Sequence, residues 1–284
     1  SDSTKAFDTA MAAASSIYVP AGTYNVTSIT VPTNKPTFLY GDGDQGSIIQ
    51  GTQASATILA YTDNGNRFSQ IQNIGIVGTT GTINIQAYNL GLHLNNVRST
   101  GGAVGIYANN IVASNWTNVV AAGSANGMKF ERLNAADVIW LCNFYNCSTF
   151  ATTQASGNFG LYVIDPTSTG QFLKNCTFIN FDAEYCGTGI RLIGNSTFNC
   201  TFINAWVEGT VDYYIYEDSG CANNYIEYYY GSPAPASTPV MSFSANSLRN
   251  SGWNGTDQQE FFGSMRSDFT GKRSEEHTSE LQSH

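Results

Sequence analysis

Four side chains set the chemical question. Asp182 and Glu184 stand two residues apart in Phe181-Asp-Ala-Glu-Tyr185, and Trp206 and Glu208 take the same places in Ala205-Trp-Val-Glu-Gly209. Glu184 and Glu208 are 24 residues apart. If both segments are strands in neighbouring turns of a solenoid, Glu184 stacks on Glu208 at ~5 Å and Asp182 lies ~7 Å along the strand. Carboxyl groups this close raise one another's proton affinity, so one can stay protonated as a general acid. Glycoside hydrolysis needs such an acid and a second carboxylate, ~5 Å away for retention or ~6.5–9.5 Å away for inversion. The expected catalytic residues are therefore Asp182, Glu184 and Glu208. Trp206, Tyr185, Tyr228 and Tyr230 are the expected substrate-binding aromatics, with Tyr229 and Glu227 beside them.

Other chemistry has less to stand on. Lys129, Glu131, Arg132 and Asp137 form a second group, suited to β-elimination from a uronic acid. Such a lyase needs a basic residue and often Ca²⁺ held by carboxylates, and this group lacks a dense Asp cluster. No cofactor is expected otherwise. His93 is the one histidine outside the last eight residues, and it sits in the alternating segment Gly91-Leu-His-Leu94. It reads as a strand-face side chain, which weakens histidine-dependent triads and zinc sites.

The elements that must position these residues are legible as repeats. Asn175-Cys-Thr-Phe-Ile-Asn180 recurs without change as Asn199-Cys-Thr-Phe-Ile-Asn204, a period of 24. Repeats of 20–50 residues signal a solenoid. An aromatic-x-Asn triplet occurs at Trp116, Phe144, Phe178 and Phe202. Gly followed by an apolar strand occurs at Gly91, Gly105, Gly127, Gly160 and Gly189. Trp116 to Gly127 and Phe178 to Gly189 both span 11 residues, whereas Phe144 to Gly160 spans 16, so a loop is inserted around Thr152–Ser156. The aromatics are expected to stack inward, and the Asn residues to turn the chain in left-handed conformations and bond as a ladder. Cys176 and Cys200 share the inward register, so the six cysteines read as buried free thiols rather than disulfides.

At the start, Thr4–Ser15 reads as an amphipathic helix with Phe7, Met11 and Ala14 on one face and a cap at Ser3 or Thr4. Strands follow at Ile17–Pro20 and Thr23–Thr27. Asp2-Ser-Thr-Lys-Ala-Phe7 with Ile17-Tyr-Val-Pro-Ala-Gly-Thr-Tyr24 resembles the opening of pectate-lyase-superfamily β-helices. Leu39-Tyr-Gly-Asp-Gly43 and Ile71-Gln-Asn-Ile-Gly-Ile-Val-Gly78 fit as well. The resemblance implies an all-β, single-stranded, right-handed parallel β-helix whose open end a short N-terminal helix plugs. That opening occurs in lyases, glycoside hydrolases, epimerases and phage tailspikes. It therefore implies polysaccharide as the partner without choosing a reaction.

The last twelve residues, Arg273–His284, look like the translation of a short-read sequencing adapter. The expected organisation is a capping helix over 1–16, a β-helix over 17–271 truncated at its C-terminus, and an artefactual, disordered tail over 272–284. Removing Arg273–His284 leaves 11 Lys+Arg and 18 Asp+Glu, a net charge of 11 − 18 = −7. Charged residues make up 12% of the chain, against ~25% in globular domains. There is no basic patch for nucleic acid and no apolar run of the ~18 residues a membrane span needs. Three functions remain in view. The leading one is a phage tailspike or host-surface depolymerase, homotrimeric and on the virion tail. The others are a secreted polysaccharide lyase or hydrolase, and a non-catalytic adhesin or structural β-helix.

Overall fold

The structure, a computed structural model, describes residues 2–62, 68–151, 153–167, 170–234 and 237–251. The tail over 272–284 and Thr152 of the inserted loop lie outside the described residues.

Alternation of apolar and polar residues, interrupted once per turn by a turn-forming residue, winds the chain into a parallel β-helix of about nine turns. Two ladders run its length, and every pairing in both is parallel. In the first ladder Ile17, Leu39, Ile71, Leu94, Trp116, Phe144, Phe178, Phe202 and Ile226 follow one another rung by rung. All nine are buried. Phe144, Phe178 and Phe202 stack face to face at 4.4 Å, and Trp116 meets Phe144 edge-on at 5.1 Å. Each such ring pair adds ~0.5–1.5 kcal/mol beyond the area it buries.

Two residues after this stack, the chain turns at Asn73, Asn96, Asn118, Asn146, Asn180 and Asn204, all with φ between 50° and 55°. Their amides form the expected ladder. Asn96 donates to Asn73 at 2.9 Å, Asn146 to Asn118 at 3.2 Å, Asn180 to Asn146 at 2.9 Å and Asn204 to Asn180 at 2.7 Å. Asn tolerates this backbone because its short amide replaces the missing local contacts.

The glycine column has a steric cause. Gly105, Gly127, Gly160 and Gly189 lie on successive rungs of the second ladder. A Cβ on Gly160 would stand 2.8 Å from the Ala183 Cβ, and one on Gly189 would stand 2.2 Å from Val207 Cγ1. The two ladders lie back to back here with no room between them. Gly91 does not belong to this column: it pairs with Phe68 in the first ladder, and Asn84 occupies the rung before Gly105.

The cysteines are free and buried. Cys142, Cys176 and Cys200 form one column at a corner, their thiols directed at backbone carbonyls. The N-terminal helix spans Thr4–Ala13 and buries Phe7 and Met11. It stops short of Ala14, which is exposed. Its cap is Asp2, whose carboxylate accepts from the Thr4 amide at 2.9 Å and hydroxyl at 2.6 Å; the side chain of the N-cap residue, Ser3, makes no capping bond. Among the described residues no helix is long and apolar enough to cross a membrane.

Candidate active site

Register places the four opening residues as their spacing requires. Asp182 pairs with Trp206, Ala183 with Val207 and Glu184 with Glu208 on adjacent rungs. Ala183 and Val207 are buried between partly exposed neighbours, so Asp182, Glu184, Trp206 and Glu208 share the outward face. One rung back, Ser148 and Phe150 precede Asp182 and Glu184. One rung on, Tyr229 follows Trp206. Gly231 makes room for the Glu208 carboxylate: a Cβ there would meet Glu208 Oε2 at 2.2 Å.

The electrostatics follow from the stacking. Burial, and then the charges of Glu184 and Glu208, push the Asp182 carboxyl up to about 7. Its Oδ1 is buried with no hydrogen-bond partner, so no donor stabilises charge on that oxygen. Burial and Glu208 also raise Glu184, and a bond to Asp182 opposes them. Near neutral pH this cluster therefore holds a proton that an isolated Asp would have released.

The inserted loop supplies a wall. Phe150 and Phe159 pair with Glu184 and Thr188 of the next turn. Nine positions here stand against four there, which accounts for the five extra residues. Gln154 Nε2 donates to the Gly209 carbonyl at 3.0 Å and Ser156 donates to Asp212 at 2.9 Å. The loop thus spans two rungs and closes the strip at its Glu184–Glu208 edge, beside Tyr185, which is 49% exposed.

Two expected aromatics are elsewhere. Tyr228 is 6% exposed and packs in the core, and Tyr230 packs against the core with its ring 5.1 Å from Tyr214. Ile226 pairs with Phe202 but Tyr228 pairs with Ala205. The left-handed Asn that shifts the alternation in earlier turns has no counterpart between them, so the alternation continues unbroken and Ile226, Tyr228 and Tyr230 all take the inward side. Tyr229, not Tyr228 or Tyr230, faces outward beside Trp206. Reading the missing Asn in Ile226-Glu-Tyr228 against Phe202-Ile-Asn-Ala205 would have revealed this.

The lyase group is taken up by structure. Arg132 is buried, ion-paired to Asp165 at 3.0 Å and bonded to the Gly170, Asn134 and Ala135 carbonyls. Asp137 accepts from the Leu133 and Asn134 amides. Lys129 pairs with Glu131 at 2.8 Å. Among the described residues no three His, Cys, Asp or Glu side chains are placed to share a metal ion. His93 stacks on Phe68 at 5.5 Å and accepts from the Asn115 amide.

No family model and no curated protein matches the sequence. Among solved structures the chain is similar to ORF18 of Geobacillus virus E2, with a TM-score of 0.70 and 16% identity, over 91% of this chain and 60% of that one. It is also similar to the phiAB6 tailspike, solved in complex with oligosaccharides of Acinetobacter baumannii surface polysaccharide. There the TM-score is 0.61 and the identity 16%, over 88% of this chain and 45% of that one. The chain thus spans less than two thirds of the length of either protein, and what it shares with them is the β-helix fold.

Proposed function

We propose that this chain binds and cleaves a surface polysaccharide, as the β-helix of a phage tailspike, through the strip Asp182–Glu184–Trp206–Glu208. The observation that carries the reading is the half-buried Asp182 carboxyl, raised to about 7 by burial and by the charges of Glu184 and Glu208. A carboxylic acid protonated near neutrality is what leaving-group protonation of a glycoside needs. Asp182 is the general acid. Glu208, one rung on and two residues along, is the base; rung and strand spacings put the two backbone positions ~8 Å apart, a frame that suits the ~6.5–9.5 Å between carboxyl groups that leaves room for a water and gives inversion. Glu184 lies between them and holds up the proton affinity of Asp182. Trp206 and Tyr229 offer flat surfaces for sugar rings.

The pectate-lyase-like opening, Asp2–Phe7 and Ile17–Tyr24, supports placing the chain in that superfamily, and the tailspike-like fold supports a position on the virion tail as a homotrimer. Native mass measurement tests the trimer. The catalytic reading is tested by depolymerisation of a polysaccharide panel with Asp182→Asn, Glu184→Gln and Glu208→Gln. Loss in Asp182→Asn and Glu208→Gln, with inverted anomeric products, supports it. Unchanged activity in all three overturns the site, and unsaturated products absorbing in the ultraviolet overturn hydrolysis. Glycan binding without any cleavage would make the chain an adhesin.

A further inference from the structure

The outward positions of the second ladder carry a different column. Tyr107, Lys129, Tyr162, Arg191 and Tyr216 follow one another rung by rung; Tyr107 is buried and donates to Glu131, so the accessible part of the column runs from Lys129 to Tyr216. Each cation lies between rings. Lys129 Nζ is 5.4 Å from the Tyr107 centroid and 5.9 Å from that of Tyr162. The Arg191 guanidinium is 4.9 Å from the Phe159 centroid, 5.5 Å from Tyr216 and 6.0 Å from Tyr162.

The two cations are not equivalent. Glu131 neutralises Lys129. Among the described residues no carboxylate pairs with Arg191, and its Nε is buried without an acceptor. Buried donors are almost always satisfied, and in a chain with 12 Lys+Arg against 21 Asp+Glu a counter-charge would be easy to supply. Instead, rings hold the guanidinium in place. A guanidinium is a planar fork that matches a carboxylate in two parallel hydrogen bonds. The rings on the rungs before and after it, Tyr162 and Tyr216, stand ~4.8 Å to either side, hold it between them and are themselves half-exposed.

We propose that this column is a second glycan-binding strip, on the face turned away from the carboxyl strip, and that it takes a polysaccharide bearing sugar carboxylates, with Arg191 pairing with one of them. The net charge of the chain repels such a polymer in general, so a carboxylate would be drawn to this column rather than to the acidic face. The strip stands apart from the catalytic reading: Arg191 can bind whether or not Asp182 is an acid catalyst.

The test is isothermal titration of the full chain with oligogalacturonate, oligomannuronate and oligosialate, each beside its carboxyl-reduced form. Wild type is expected to bind at least one acidic oligosaccharide. Carboxyl reduction and Arg191→Met are each expected to weaken it by roughly tenfold or more, with Arg191→Lys between. Equal affinity for the reduced sugar, full affinity in a folded Arg191→Met, or binding of none of the three overturns the proposal. If Arg191→Met does not fold, the carboxyl-reduced sugars decide the matter with wild type alone.

Discussion

A single turn of the chain carries two opposite electrostatic solutions. On its first-ladder face, Asp182 stands against Trp206 and Glu184 against Glu208 of the next rung. On its second-ladder face, Arg191 stands between Tyr162 and Tyr216. The rung spacing is the same ~4.8 Å on both. Like charges stacked at that distance relieve their repulsion by keeping a proton. A cation stacked on rings meets no like charge, and its field is met by the negative faces of the aromatics. Rung contents, not rung geometry, therefore decide whether a position stores a proton or a charge.

The strongest way to break this comparison is to remove the stored proton. Asp182→Asn is expected to lower kcat on a cleaved polysaccharide by roughly 10²–10⁴-fold, while titration with acidic oligosaccharides stays as in wild type. Loss of both would mean that the faces are not separate. Next in size is the shared core. Phe178→Ala removes the middle ring of the aromatic stack, and urea denaturation should show a loss of ~3–5 kcal/mol, with both faces failing together. A smaller, one-sided effect comes from Asn180, which has φ 53° and bonds to Asn146 and Asn204. Asn180→Ala is expected to cost ~1–3 kcal/mol, and Asn180→Gly less, because glycine keeps the backbone and loses only the amide bonds.

The smallest effect sharpens the acid face. The folded-state pKa of Asp182, about 7, is above its ordinary 3.8. Between those values the folded chain binds more protons than the unfolded one, so this group's contribution is complete below pH 4 and is lost as pH rises through 7. Thermal melts should show Asp182→Asn about 2–4 °C above wild type at pH 8, with the gap closing by pH 4.

The solenoid and the acid strip were legible because they obey a fixed period. Asn175–Asn180 and Asn199–Asn204 announce consecutive turns of equal length, and the left-handed Asn180 and Asn204 shift the alternation set by Phe178 and Phe202 by one residue, so that Ala183 and Val207 point inward and Asp182 and Glu208 outward. The Asn ladder followed from residue chemistry alone. Tyr228 and Tyr230 point inward because Ile226-Glu-Tyr228 lacks the left-handed Asn that shifts the alternation in earlier turns. The wall at Gln154 was visible only as excess length, since its bonds to Gly209 are tertiary. The column from Tyr107 to Tyr216 was invisible for a related reason. Its members are 22, 33, 29 and 25 residues apart, because loops of unequal length intervene. They share a rung position but no period.

The back-to-back glycine column has an evolutionary consequence. Where Gly160 touches Ala183 and Gly189 touches Val207, the cross-section admits no extra atom, so the molecule cannot gain function by thickening. It can lengthen by whole turns, which leave every register intact, or vary the loops between ladders, as 151–158 does. Duplication of complete turns is thus the route by which such a chain would acquire longer binding strips, with side chains added in steps of one rung.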